Sequence, residues 1–204
     1  MIKKNEKTFL GINLSDDPDR ANYIARIFAP FYEKLLEVWL ETKGFESKGR
    51  PTIYDKNEKV LSTYDYTLRK DGKYYIVEAK CYLAFNNFKH LDLTTESLGL
   101  LLGGEDSFNF FCELGTKNEP YRKYTFYYTN SDKHFTPNGK ILFWPKIRKD
   151  EAEKIKKVYK FYDIFSIEDA INDMKNQSKK SGEYFKLTSK YRTWTEELFR
   201  ALIK

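Results

Sequence analysis

The sequence predicts an α/β sandwich, a mixed β-sheet core flanked by helices. Three observations predict it. A helical stretch from Asp19 to about Lys43 precedes a series of short alternating segments. Asp71-Gly72 joins two of those segments, and Asp-Gly in that setting is among the strongest hairpin signals. Helical and extended segments then alternate through the rest of the chain.

The chain has 204 residues, 41% of them hydrophobic and 32% charged, a balance that suits one globular domain. Residues 1–18 read as an N-terminal tail, 19–177 as the core, and 178–204 as a basic helical extension of the same domain. Pro30 falls inside the first helical stretch, so two helices or one kinked helix are expected there. Pro30 and Gly44 are proper boundary signals for its second half. Thr52–Tyr54 reads as a short strand, and Val60–Arg69 and Lys73–Tyr82 as two longer ones. Leu98–Leu102, closed by Gly103-Gly104, reads as a helix. Gly103–Arg122 reads as a long loop with its own aromatic cluster, Phe108, Phe110 and Phe111. Tyr124–Thr129 and Lys140–Trp144 are expected strands, Asp150 to about Lys157 a helix, and Tyr159–Phe165 a strand into which the Lys-rich helix could continue. Ser166 starts a helix with Asp169 three residues on. Thr193 and Glu196 read as the capping box of the last helix.

The formal net charge is +6, which favours polyanion partners such as nucleic acid. Cys81, Cys112, His90 and His134 form no Cys-x-x-Cys or His-x-x-x-His spacing, so a zinc site is not expected. Two cysteines make no disulfide framework, and a reduced, cytoplasmic chain is the simpler reading. No apolar run approaches the roughly 18 residues of a membrane span. The first residues lack the apolar stretch of a secretory signal.

The hairpin carries the chemistry. A two-residue loop at Asp71-Gly72 puts Lys70 opposite Lys73, Asp65 opposite Glu78 and Thr63 opposite Lys80. Alternation then places Asp65, Glu78 and Lys80 on one face. Tyr64, Tyr66, Leu68, Tyr75, Val77 and Ala79 take the other, core-facing side. Facing Cβ atoms lie about 5 Å apart. Two carboxylates at that distance repel by roughly 3 kcal/mol at an effective dielectric near 20. Lys80 supplies one compensating charge. A hard cation such as Mg²⁺, which takes one or two carboxylates plus waters and phosphate oxygens, would complete it. Such an assembly suits hydrolysis of a phosphodiester.

Glu-x-Lys alone says little, since it also occurs at Glu41-Thr42-Lys43 and Glu46-Ser47-Lys48. Glu78-Ala79-Lys80 differs by closing the apolar strand Tyr74-Tyr75-Ile76-Val77 and by facing Asp65. The competing reading is a solvated hairpin face with a compensating ion pair.

A helix, an extended segment, Tyr64-Asp65 and then Tyr74-Tyr75-Ile76-Val77-Glu78-Ala79-Lys80 resemble the catalytic core of the PD-(D/E)XK nucleases. The proline of the family name is replaced by Tyr64. The resemblance implies a restriction-endonuclease-like core in which Asp65, Glu78 and Lys80 are catalytic. Asp65, Glu78 and the Ala79 backbone carbonyl would hold Mg²⁺, with Mn²⁺ as a substitute. Asp55 is a weaker alternative for the first acid. Many members add a glutamate from the preceding helix; Glu33 is the choice over Glu37 and Glu41, because it borders the arc of Phe28, Phe31, Leu35, Val38 and Trp39. The order of elements through Ser166-Ile167-Glu168-Asp169 is similar to the cleavage modules of type IIS restriction enzymes.

The implied activity is that of a DNA endonuclease, with double-stranded DNA as partner and no membrane. One domain offers one site, so a homodimer is implied, or a heterodimer with a larger DNA-recognition subunit. Rival readings are a structure-specific repair, phage or defence nuclease, or a non-catalytic nucleic-acid-binding module. Lys89 and His90, after the catalytic strand, and Lys190 and Arg192, among C-terminal aromatics, are candidate nucleic-acid contacts.

Overall fold

The computed structural model describes residues 8–9, 12–13, 18–81, 91–128 and 133–203. A small ladder of β1 (Thr8–Phe9) and β2 (Ile12–Asn13) precedes α1 (Pro18–Thr42). Five strands follow: β3 (Glu46–Ser47), β4 (Pro51–Tyr54), β5 (Val60–Thr63), β6 (Tyr66–Lys70) and β7 (Lys73–Ala79). Next come β8 (Asp92–Leu93), α2 (Thr95–Leu102) and α3 (Asp106–Glu113). The strands β9 (Thr125–Tyr128), β10 (His134–Phe135), β11 (Gly139–Trp144) and β12 (Lys146–Ile147) lead to α4 (Lys149–Tyr159). The chain closes with β13 (Asp163–Ser166), α5 (Ile167–Ser181) and α6 (Glu183–Ile203).

The fold is mixed α/β, as expected. Its main sheet has five strands in the order β13-β11-β7-β6-β3. β13, β11 and β7 run parallel, while β6 and β3 are antiparallel. A second, antiparallel sheet has the order β10-β9-β4-β5. Among the described residues no helix is long and apolar enough to cross a membrane.

The β6–β7 hairpin has the expected register, from Lys70 opposite Lys73 to Tyr66 opposite Val77. Asp71 and Gly72 have φ of 51° and 75°. Two consecutive positive φ values are what a type I′ turn requires, and they match the twist of the strands.

Val60–Arg69 is not one strand. β5 pairs with β4 in the second sheet, while β6 belongs to the main sheet, and Tyr64-Asp65 is the joint between them. Both faces of the main sheet are covered, where one core-facing side was expected. Tyr66, Leu68, Tyr75, Val77 and Ala79 pack against Leu35, Leu36, Trp39 and Leu40 of α1. Ile76 and Leu142 pack on the other face with Tyr64, Phe108, Phe111, Phe126 and Trp144. Tyr64 therefore lies on the face opposite Tyr66, contrary to strict alternation.

Further differences have local causes. Of the two alternatives for the first helical stretch, the single helix holds: α1 runs through Pro30. The disruption Pro introduces costs about 3 kcal/mol, less than the burial of Phe31, Tyr32, Leu35, Leu36, Trp39 and Leu40 at about 1.5–3 kcal/mol each. The stretch read as a loop contains α3, whose Phe108, Phe111 and Cys112 form a buried face at helical spacing. α4 runs to Tyr159 and ends where Lys160 turns left-handed at φ 57°, so the next strand starts only at Asp163. Ser166 Oγ accepts from Asp169 N–H at 3.1 Å, as expected of a cap. Thr193 lies inside α6, and Glu196 pairs with Arg192 one turn back.

Lys140 of β11 is fully buried. Its ammonium donates to the carbonyls of Phe111 (2.9 Å), Cys112 and Leu114 (2.5 Å), at the C-terminus of α3. Burial pushes it down to about 7. Three carbonyl acceptors and the Phe161 ring, 4.8 Å away, favour the charged form at a helix end that attracts cations. Lys140→Met should cost about 2–4 kcal/mol in chemical denaturation, because it orphans those carbonyls. A loss below about 0.5 kcal/mol would show that Lys140 does not anchor the end of α3.

Candidate active site

Asp65 sits on a β-bulge. Its N–H donates to Val77 O at 3.1 Å, although Val77 is the register partner of Tyr66. Two residues thus oppose one, the signature of a bulge. The bulge arises where the chain leaves the second sheet for the main one. It replaces the expected face-to-face pairing with a more specific contact: Ala79 N–H donates to Asp65 Oδ2 at 2.7 Å. The carboxylate takes the place that a strand carbonyl would hold. A strand residue turns its N–H and C=O to the same neighbour, so the Ala79 carbonyl is directed to the side where Asp65 sits.

Glu78 and Lys80 share the opposite strand and one face of it. Lys80 Nζ lies 2.9 Å from Glu78 Oε1 and 2.8 Å from Glu105 Oε2. The Phe108 ring centre is 4.5 Å from the same nitrogen. The Lys80 side chain is only 6% exposed, while Asp65 and Glu78 are 13% and 16% exposed. Backing comes from β11, whose Phe143 carbonyl accepts from Lys80 N–H at 3.0 Å. The trio lies at the carboxyl ends of parallel strands, where open α/β sheets place their ligands.

Glu33 of α1 shares a cavity of about 250 Å³ with Lys34, Glu37, Arg50, Asp65 and Tyr66. Arg50 Nη2 is 3.4 Å from Asp65 Oδ1, and its Nε donates to Tyr64 O at 3.2 Å. Half of the Arg50 side chain faces solvent (57%). The Tyr66 hydroxyl is buried with no hydrogen-bond partner among the described residues.

The electrostatics are unbalanced. With every group ionised, Glu33, Asp65, Glu78 and Glu105 stand against Arg50 and Lys80, a formal excess of two negative charges among these described residues. Burial pushes Asp65 up to about 6 against the Ala79 N–H, with Glu33 adding to the rise. Burial and then the Asp65 charge push Glu78 up to about 7, against Lys80. Burial also raises Glu33. Burial acts to pull Lys80 down, but Glu78 and Glu105 outweigh it and hold the ammonium above its ordinary range.

The structure thus brings Asp65 to the Ala79 backbone beside Glu78 and Lys80, and places Glu33 on the cavity that Asp65 also lines. Asp55 stands apart: its carboxylate accepts from Asn57 and Lys59 N–H and serves a turn. Glu37 is paired with Lys34, and Glu41 is exposed. Lys89 and His90 lie outside the described residues. Lys190 stands 4.6 Å over the Trp194 ring, and Arg192 is paired with Glu196, both on the exposed side of α6. Sequence reasoning missed Glu105 and Arg50. Glu105 could have been found from the helical spacing of Phe108, Phe111 and Cys112 just after it; nothing local marks Arg50.

Among the described residues no three His, Cys, Asp or Glu side chains gather as a ready metal cage. Asp65 and Glu78, on either side of the Ala79 backbone, are the carboxylates that could offer oxygen atoms to a cation there. Comparison with protein-family models, curated proteins and solved structures returns no match to this chain.

Raised carboxyl pKa values mean that the folded state holds protons the unfolded chain has released. Their stabilising effect is complete below about pH 4 and fades as pH rises through about 6 to 7. Denaturation free energy should therefore fall between about pH 4 and 7, and Glu78→Gln should flatten that fall by about 2 kcal/mol. An unchanged slope in Glu78→Gln would show that Glu78 is not raised by its burial and the Asp65 charge.

Proposed function

We propose that the chain is a divalent-metal-dependent DNA endonuclease of restriction type, built on a restriction-endonuclease-like core. The observation that carries this reading is the bulge at Asp65, which brings a buried carboxylate to the Ala79 backbone beside Glu78 and Lys80. A mixed sheet with helices on both faces, entered through a long helix carrying Glu33, supports it as well.

The residues suit a hard divalent ion. Asp65 and Glu78 offer oxygen donors of the kind Mg²⁺ and Mn²⁺ prefer. Each carboxylate keeps lone pairs beyond those used by Ala79, Arg50 and Lys80. The excess of two negative charges equals the charge of one such ion. The chemistry that it supplies when bound is polarisation of a phosphate oxygen and acidification of a water.

The chain's own groups do the rest. Asp65, Glu78 and the Ala79 carbonyl form the binding set, with Glu33 behind them. Lys80 is held charged between two carboxylates, so its ammonium orients the attacking water and balances charge growing on the phosphate. Glu105 fixes the position of that amine. Arg50, tethered to Tyr64 O and half exposed, meets the phosphate from the solvent side. Double-stranded DNA is the substrate. Two-strand cleavage then calls for a second copy of the chain or a larger DNA-recognition subunit. Cys81 and Cys112 are buried free thiols, in keeping with a reduced, cytoplasmic protein.

Supercoiled and linear DNA should be cut in the presence of Mg²⁺ or Mn²⁺ and left intact in EDTA. Glu78→Ala and Lys80→Ala should lower the rate by about 10²-fold or more with circular dichroism unchanged. Arg50→Ala should act mainly on KM, as loss of a contact to the bound phosphate does. Cleavage at full rate in both Glu78→Ala and Lys80→Ala would reject this site.

A further inference from the structure

A second cavity, of about 330 Å³, opens at the β3 edge of the main sheet and is lined by Lys48, Arg69, Tyr74, Tyr128, Lys133 and His134. We infer that it is a nucleotide subsite: it takes the phosphate and base of one nucleotide in the DNA strand that runs into the acidic site. This rests on the nuclease reading for its substrate, but on separate residues.

The lining has the chemistry of a phosphorylated ring compound. Lys48, Arg69 and Lys133 bring three cations. Among the described residues, Glu46 is the carboxylate beside Lys48 and Arg69; it bonds Lys48 and lies 3.9 Å from Arg69. Among the described residues the balance is positive. The rings are held in place before any ligand arrives. Tyr74 and Tyr128 have centroids 6.3 Å apart, and both rest on Phe135, at 5.4 and 4.8 Å. The Arg69 guanidinium lies 6.0 Å from the Tyr74 ring centre. Aromatic platforms edged by cations bind bases by stacking and phosphates by charge. The volume falls at the lower end of the range for small-ligand pockets, about 300–1,000 Å³.

It lies on the face of the main sheet opposite the Glu33 cavity, and the two meet at the edge segment that follows β3. β3 and the residues after it run along β6, with Glu46 opposite Arg69 and Lys48 N–H donating to Thr67 O. The same segment ends at Arg50 on Asp65. Lys48 faces the basic cavity, while Gly49 and Arg50 line the acidic one. Arg69 and Asp65 are four residues apart, about 13 Å at 3.3 Å per residue. B-form DNA advances about 3.4 Å per nucleotide. That span is comparable to the length of about four base pairs measured along the duplex axis. An acidic peptide would satisfy the cations but leave the two rings without a stacking partner.

The test is fluorescence anisotropy of the whole chain with a labelled 20-base-pair DNA duplex and the matching single strand. EDTA prevents cleavage, and salt is varied from 50 to 200 mM. Arg69→Ala and Lys133→Ala should each reduce the slope of log affinity against log salt by about one. Tyr128→Leu should weaken binding about tenfold with the slope unchanged. Should Tyr128→Leu fail to fold, the two charge variants decide. Wild-type affinity and slope in Arg69→Ala and Lys133→Ala would overturn the inference. So would displacement of the duplex by polyglutamate as readily as by unlabelled DNA, or no binding by the wild type. Variants that bind like the wild type while DNA is still cut with Mg²⁺ would remove this subsite alone. Weakened variants together with no metal-dependent cleavage by the wild type would remove the nuclease reading and leave the subsite.

Discussion

The hydrogen bond from Ala79 N–H to Asp65 Oδ2 holds the site together. It exists because the chain changes sheets at Tyr64-Asp65. β5 pairs in the small sheet and β6 in the main one, so one residue at the joint has no ladder partner of its own. The bulge turns that residue's side chain into a substitute for a backbone carbonyl. Tyr64, carried to the other face, is fixed by its hydroxyl on Ser107 O at 3.1 Å and by the Phe111 ring. Whatever disturbs this joint moves Asp65 relative to Glu78 and Lys80.

The arrangement concentrates negative charge where water is scarce. Buried carboxylates without full compensation work against folding, and here Lys80 and Arg50 neutralise two of four. The cost is tolerated because the same strands are packed on both faces. Val77 and Tyr75 are buried on the α1 side, Ile76 and Leu142 on the other. α3 serves both ends of the account. Its C-terminal carbonyls are satisfied by Lys140, while the residue at its N-terminus, Glu105, reaches Lys80. A helix of eight residues is marginal alone. Anchored at both ends by lysines from adjacent strands of one sheet, it becomes part of the frame around the site.

What could be seen in the sequence was local. The hairpin register follows from Asp71-Gly72 and the alternation on either side, and it is correct in every pair of the ladder. Glu78 and Lys80 share a face because they are two residues apart in a strand. The pairing of Asp65 was harder. The alternation Tyr64, Tyr66, Leu68 suggested one continuous face, but the switch between sheets is a tertiary event with no local sign. Phe108, Phe111 and Cys112 stand at helical spacing, but Phe110 and Leu114 blur that pattern and Gly103-Gly104 and Gly115 bracket it, so the stretch reads as loop and Glu105 with it. Arg50 lies in an irregular segment whose position is set by pairing with β6, which only the folded chain reveals. Thr193 and Glu196 show the opposite error: a capping pattern at correct spacing inside a helix that begins ten residues earlier.

The most direct test of the central claim is calorimetric titration of the intact chain with Mn²⁺ near pH 6.5, in two buffers of different ionisation enthalpy. Asp65 and Glu78 are partly protonated there, so binding should release protons, seen as heat that changes with buffer. Asp65→Asn and Glu78→Gln should each lose most of the affinity, about 10-fold or more. Binding of equal strength in both variants, or no heat in the wild type, would contradict a shared ion at the Asp65 bulge.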